Sequence, residues 1–226
     1  MEYSSVLLLT FIAYLMGAFP LGVLIGKIFY GIDLREHGNG SSSWRNAYNV
    51  ISASTGIIIA ILEVLQGCIA PALAIWGNIH WHLFSDYEYP FLMLSFGLTG
   101  ILGQNFSVFT NFKGTRDVTT ALGVFLILNP LATISCLAIA ILIYVLSHYV
   151  HVGYVIAMLC FPIFIKLFPT NHDYVPQTLW FFVGILSSAL FYFHRSEMLT
   201  FMDTSLSSIY HLPHNLWERI KSKRKI

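Results

Sequence analysis

Long apolar runs, one after another, restrict this chain more than any other feature. The first, Val6 to Phe29, holds 24 residues with one charge, Lys27, near its end. At about 1.5 Å per residue it reaches roughly 36 Å, enough to cross a bilayer with some tilt. Six more follow: Ser52 to Trp76, Phe91 to Phe106, Val118 to Leu128, Leu131 to Tyr149, Tyr154 to Phe168 and Thr178 to Phe193. Only 10% of the 226 residues are charged and 56% are hydrophobic, whereas soluble domains carry about 25% charge. The expected fold is therefore an all-α integral membrane protein with seven transmembrane helices. The third and fourth runs are short, and read either as tilted helices or as half-spanning elements around a cavity. No Lys or Arg precedes the first run and no small-residue cleavage site follows it, so it reads as a retained anchor rather than a removable signal.

Sidedness follows from the cations. Lys27, Arg35, Arg45, Lys113, Arg116, Arg195, Arg219, Lys221, Lys223, Arg224 and Lys225 all fall on one side of a seven-span layout, and Lys166 alone falls on the other. The positive-inside rule then predicts cytoplasmic loops and C-terminus, with Met1 outside. Trp76, Trp81, Tyr87 and Tyr89 suit an outer interfacial belt. Residues 1–200 read as one membrane domain and 201–226 as a basic cytoplasmic tail beside anionic lipid. A formal net charge of +1 gives no footprint for nucleic acid. Cys68, Cys136 and Cys160 sit in apolar runs with no paired spacing, which gives neither a disulfide framework nor a zinc signature.

Two loops predicted on the cytoplasmic side carry the chemistry. In the first, from Gly31 to Asn46, Gly38 and Gly40 suit positive φ and let backbone N–H groups converge. Asn39, Ser41, Ser42, Ser43 and Asn46 add polar side chains, and Arg35 and Arg45 add charge. This is the chemistry of a phosphate cradle, although a solvated linker has the same composition. The second loop, Asn105 to Thr120, places Lys113 and Arg116 around Gly114, which suits an anionic ligand or lipid headgroup. Weaker signals are Gly22 to Lys27, a truncated P-loop-like string inside a span, and the pairs His80/His82 and His148/His151, which lack further ligands at metal spacing. Glu63 lies within the second run, where a carboxylate marks an interior polar network or ion path unless it reaches the outer water boundary.

The stretch Tyr14 to Gly38, with Leu62 to Gly67, Asn105 to Gly114 and Phe193-His194-Arg195 in the same order, resembles the acyl-phosphate-dependent glycerol-3-phosphate acyltransferases, the bacterial membrane family PlsY. The resemblance covers nearly the whole chain to about Thr200. It implies seven spans, an outside N-terminus and transfer of a fatty acyl group from acyl phosphate to the 1-hydroxyl of glycerol 3-phosphate. The product is lysophosphatidate, a step of phospholipid biosynthesis that needs no metal, nucleotide or coenzyme A. The partners implied are acyl phosphate, glycerol 3-phosphate and membrane lipids, with the protein a monomer or homodimer. Carried over position by position, His194 becomes the acid/base candidate. Gly38, Gly40, Asn46, Lys113, Gly114, Arg116, Thr120 and Arg195 become candidates for holding phosphate or substrate, with Arg45 as a stand-in.

The stand-in is needed because the motifs are altered. The family's Gly-Ser-Gly-Asn, then Gly-Ala-Thr-Asn and an Arg, becomes Gly38-Asn39-Gly40-Ser41, then Ser43-Trp44-Arg45-Asn46, with Asn49 at the expected Arg. Its Phe-Lys-Gly-Gly-Lys-Gly-Val-Ala-Thr becomes Phe112-Lys113-Gly114-Thr115-Arg116-Asp117-Val118-Thr119-Thr120. Gln104 replaces a His, Ser107 a Pro and Glu197 an Asn. Three readings stand: an acyltransferase, a silent relative that binds lipid phosphate without turnover, and a small transporter using Glu63 and the histidines.

Overall fold

The computed structural model describes residues 2–81, 89–115, 117–147 and 150–168. The seventh apolar run, the tail, and the site candidates Arg116, His194 and Arg195 lie outside the described residues. All regular elements among the described residues are helical: α1 (Glu2–Ala18), α2 (Leu21–Tyr30), α3 (Trp44–Val50), α4 (Ala53–Trp81), α5 (Tyr89–Asn105), α6 (Thr119–Leu128), α7 (Pro130–Ser147) and α8 (Val150–Leu167), with short 3₁₀ turns at Leu34–Glu36 and Val108–Thr110. Among the described residues, three stretches are long and apolar enough to cross a membrane, Ala53–Trp81, Phe91–Thr110 and Pro130–Ser147, and a fourth if the bent pair α1 and α2 is one span. Large apolar side chains such as Leu7, Ile28, Ile141 and Leu146 point outward, the surface expected of a bundle whose solvent is lipid.

The first run is not one continuous helix. α1 and α2 meet at a 47° bend, because Pro20 has no N–H to continue the ladder. Carbonyl groups freed by such a break must find donors, since lipid supplies none. Gln66 Nε2, from α4, donates to the carbonyls of Met16 (2.6 Å), Gly17 (3.0 Å) and Phe19 (3.0 Å). Ser107 Oγ donates to the Ala18 carbonyl, so the serine found where the family has proline serves the break. The Met16 and Phe19 carbonyls also accept from the N–H groups of Phe19 (3.4 Å) and Leu21 (3.0 Å), so Gln66→Leu is expected to leave the Gly17 carbonyl unpaired, at about 1–3 kcal/mol. A thermal melt of the protein in detergent should then fall by on the order of 5 °C.

α6 has ten residues, about 15 Å of helix, half the roughly 30 Å thickness of a hydrocarbon core. α4 continues past Trp76, where the second run ends, to Trp81, so Trp81 also belongs to the helix. Within lipid, helices gain little from apolar burial against each other and associate through close packing. Gly67 of α4 lies against the Thr120 backbone, and Gly123 of α6 against the Val64 backbone; a Cβ at either would collide with the facing carbonyl. α4 thereby becomes the spine that α1, α3, α5 and α6 pack against, while α7 pairs with α8.

Candidate functional site

At the end of the bundle where α2 gives way to α3 and α5 to α6, the two glycine-rich loops meet. α2 stops at a left-handed cap at Gly31. The chain then makes a 3₁₀ turn capped by Asp33, whose side chain accepts from the Arg35 backbone N–H (3.0 Å), from Arg35 Nε (3.0 Å) and Nη2 (2.7 Å), and pairs with Lys27 Nζ (2.9 Å). The Arg35 hydrogen bonds, aided by Lys27 and opposed by partial desolvation, hold the Asp33 carboxyl well below the usual carboxylate range. A carboxyl depressed on folding stabilises above its unfolded pKa of about 3.9 and loses that contribution as pH falls through the folded value. The Asp33→Asn variant should therefore melt below the parent by a constant margin from about pH 5 to 8, narrowing only below about pH 4. The margin should be small, because Lys27 and Arg35 are substantially exposed.

Asn46 organises the rest of the first loop. It is buried, its Nδ2 donates to the carbonyls of Leu34 (2.8 Å), His37 (3.0 Å) and Ser41 (2.7 Å), and its Oδ1 accepts from the Asn39 N–H (3.1 Å). Gly38 (φ +63) lies directly over it, and a Cβ there would collide with Asn46 Oδ1 and Val50. The Ser43 hydroxyl caps α3 by accepting from the Asn46 N–H (3.3 Å). Ser41 and Asn39 side chains accept from the N–H groups of Ser43 (3.1 Å) and Ser41 (3.0 Å). Asn46, expected among the ligand contacts, thus faces the loop's own backbone and sets its shape.

The second loop joins the first through Ser42 Oγ and Thr115 Oγ1, 2.8 Å apart, two positions where this chain departs from the family's glycines or lies beside such a departure. Asn111 (φ 52) and Phe112 (φ 59) are left-handed, a conformation uncommon for a residue as bulky as Phe and typical of strained functional loops. Between the loops lies a polar cavity of about 990 Å³. Its walls include Arg35, Asn39, Gly40, Ser41, Ser42, Ser43, Arg45 and Asn49 from the first loop and α3, and Asn105, Thr110, Asn111, Phe112, Lys113 and Gly114 from the second. Asp33 and Glu36 also line it, but the Asp33 charge is taken up by Arg35 and Lys27.

Of the sequence-predicted residues, Gly40, Arg45, Lys113 and Gly114 line this cavity, while Gly38 and Asn46 shape its wall from behind. Thr120 does not reach it. Fully buried in the α4/α6 contact, it donates to the Glu63 carbonyl (3.4 Å). Glu63 is itself buried and accepts from Thr119 Oγ1 (2.5 Å), which places it in an interior polar network rather than in lipid.

Arg45 also borders a second compartment of about 510 Å³, lined by Trp44, Arg45, Tyr48 and Asn49 of α3 and by Leu137, Ala140, Ile141 and Tyr144 of α7. The α7 residues recur at helical spacing and form one stripe, with Ile141 and Tyr144 open toward the lipid face. Sequence reasoning did not anticipate this groove, nor the ion pair between Arg45 Nη2 and Asp117 Oδ2 at 3.5 Å. The visible signal was that both residues of the pair depart from the family motif.

Outward-facing apolar helices, with a polar cavity bearing Arg45 and Lys113 beside an apolar groove that shares Arg45 and Asn49 with it, define an integral membrane protein with an anion-suited cavity at one end of its bundle. The chain belongs to the glycerol-3-phosphate acyltransferase family, whose model matches residues 7–204. It is similar to the glycerol-3-phosphate acyltransferase of Geobacillus kaustophilus, with 34% identity covering 84% of this chain and 89% of that one. The enzyme of the same name from Fusobacterium nucleatum is 35% identical over 83% of this chain and 89% of its own length. Among solved structures, it is similar to the glycerol 3-phosphate form of PlsY, an integral membrane glycerol 3-phosphate acyltransferase. That likeness has a TM-score of 0.69 and 26% identity, and covers 88% of this chain and 92% of the other.

Proposed function

We propose that this protein transfers a fatty acyl group from acyl phosphate to the 1-hydroxyl of glycerol 3-phosphate, yielding lysophosphatidate and inorganic phosphate for phospholipid biosynthesis. The observation that carries this reading is the junction of a polar, cation-bearing cavity with an apolar groove at Arg45 and Asn49. An acyl chain in the groove brings its phosphate to the cavity mouth, and the second phosphate occupies the space between Lys113 and the first loop. Holding both together converts a bimolecular encounter into an oriented one.

In the step itself, the glycerol hydroxyl oxygen bonds to the acyl carbon and the bond from that carbon to the phosphate oxygen breaks. The hydroxyl proton passes to a base, for which His194 is our candidate, with Arg195 beside it, and the leaving phosphate carries away the electron pair. Lys113, Arg116 and Arg45 offset the charge that develops on the carbonyl and phosphate oxygens. We further infer seven spans, an outside N-terminus, loops and basic tail 201–226 in the cytoplasm, and function as a monomer or homodimer. No metal or other cofactor enters this scheme.

Radiolabelled glycerol 3-phosphate given to the purified protein in lipid with palmitoyl phosphate tests the reading. Labelled lysophosphatidate is the expected product. The rival reading, binding without turnover, draws on Asn49 and Asp117 in place of the family's residues, and predicts bound palmitoyl phosphate with no labelled lipid.

A further inference from the structure

Arg45 and Asn49 stand four residues apart on α3, hence one above the other on the same helical face, and both border the polar cavity and the apolar groove. Opposite them, just before α6, is Asp117, a buried carboxylate at a position where the family motif has glycine. Asp117 Oδ1 accepts from the Val118 N–H (2.8 Å). Its Oδ2 accepts no hydrogen bond among the described residues and faces Arg45 Nη2 at 3.5 Å. The guanidinium also lies 5.9 Å from the centre of the Trp44 ring, and the Arg45 side chain is 22% exposed. A buried carboxylate without a nearby cation is strongly unfavourable, so the pair fixes where the Arg45 charge stands.

Resting on the acyltransferase reading, we propose that Arg45 is the residue that binds the phosphate of the acyl-phosphate donor, and that Asp117 is its positioning residue. The phosphate of an acyl phosphate is bonded to the head of the chain. With the chain in the α3/α7 groove, that phosphate must lie at the seam between the compartments, where Arg45 stands. The phosphate of glycerol 3-phosphate lies at the far end of the acceptor from the attacking hydroxyl. It therefore sits away from the seam, among the cavity's other donors. An arginine one helical turn before Asn49, held by a carboxylate that the motif otherwise lacks, lets this chain recognise its donor with a rearranged set of side chains.

The test is a double-mutant comparison in lipid, with KM for palmitoyl phosphate and for glycerol 3-phosphate measured for the parent, Arg45→Ala, Asp117→Asn and the double variant. Arg45→Ala should raise the donor KM about tenfold or more, the loss expected for one charge-assisted contact. Asp117→Asn should raise it in the same direction, and the acceptor KM should stay within about twofold. The double variant should be no worse than Arg45→Ala, since Asp117 acts through that arginine. Asp117→Gly removes the side chain without leaving a polar group inside, and stands in if the Asn variant is not recovered folded.

Independent, additive losses, or a change confined to the acceptor KM, would overturn the proposal. Absence of turnover in the parent would refute the acyltransferase reading instead. Direct binding of palmitoyl phosphate to the same variants would then decide the inference, with weaker binding in both single variants expected and unchanged binding contradicting it.

Discussion

Asn46→Asp is expected to abolish turnover, lowering it by on the order of 10³-fold or more, and to unlatch the first loop. The side-chain amide of Asn46 donates to three backbone carbonyls at 2.7–3.0 Å from within the protein. The near-isosteric carboxylate removes those donors and turns its lone pairs toward the same oxygens. The Leu34 and His37 carbonyls keep backbone donors in the N–H groups of His37 (3.4 Å) and Gly40 (3.1 Å), so the larger cost is a buried carboxylate set against three carbonyl oxygens, with the Ser41 carbonyl left unpaired at about 1–3 kcal/mol more. The helices do not depend on this side chain, so circular dichroism should be preserved while protease cuts between Gly31 and Ser43. Retained activity within about tenfold of the parent would show that the loop's shape does not depend on Asn46.

Lys113→Ala should act in the opposite manner, sparing the fold and weakening the chemistry. Lys113 is exposed on the cavity wall and none of the loop's described contacts rests on its ammonium group. Its loss removes one charge-assisted contact to a phosphate, about 1.5–3 kcal/mol, which is roughly 10–150-fold in kcat/KM. Thermal stability should stay within about a degree of the parent. Arginine at the same position should recover part of the rate, since charge survives while the geometry of a compact ammonium does not. Kinetics of the two variants against a parental melt would check this, and a Lys113→Ala protein with parental kcat/KM would remove Lys113 from the site.

The helices were legible because lipid demands long apolar runs, and the shortness of α6 follows from the short run Val118 to Leu128, closed by Asp117 on one side and Asn129-Pro130 on the other. The break at Phe19-Pro20 was not, since proline inside an apolar run is tolerated and the run alone does not reveal whether donors are available. Those donors, Gln66 and Ser107, come from distant segments. The same limit applies at the site. A glycine-rich loop with asparagine and serine announces a cradle, but an amide that can serve a ligand can equally serve three carbonyls, and only the folded chain turns Asn46 inward. Thr120 matched the family motif, yet its backbone is where Gly67 packs, so the match reflects helix contact in this structure. Arg45 and Asp117 were each visible as departures, and their pairing required α3 and the start of α6 to be brought together.

Phosphate release from palmitoyl phosphate by the purified protein in lipid, with and without glycerol 3-phosphate, tests most directly the claim that one cavity holds both substrates for transfer. The account predicts release that depends on glycerol 3-phosphate and matches lysophosphatidate formed one for one. Release indifferent to the acceptor, or no release where a related acyltransferase is active under the same conditions, would contradict it.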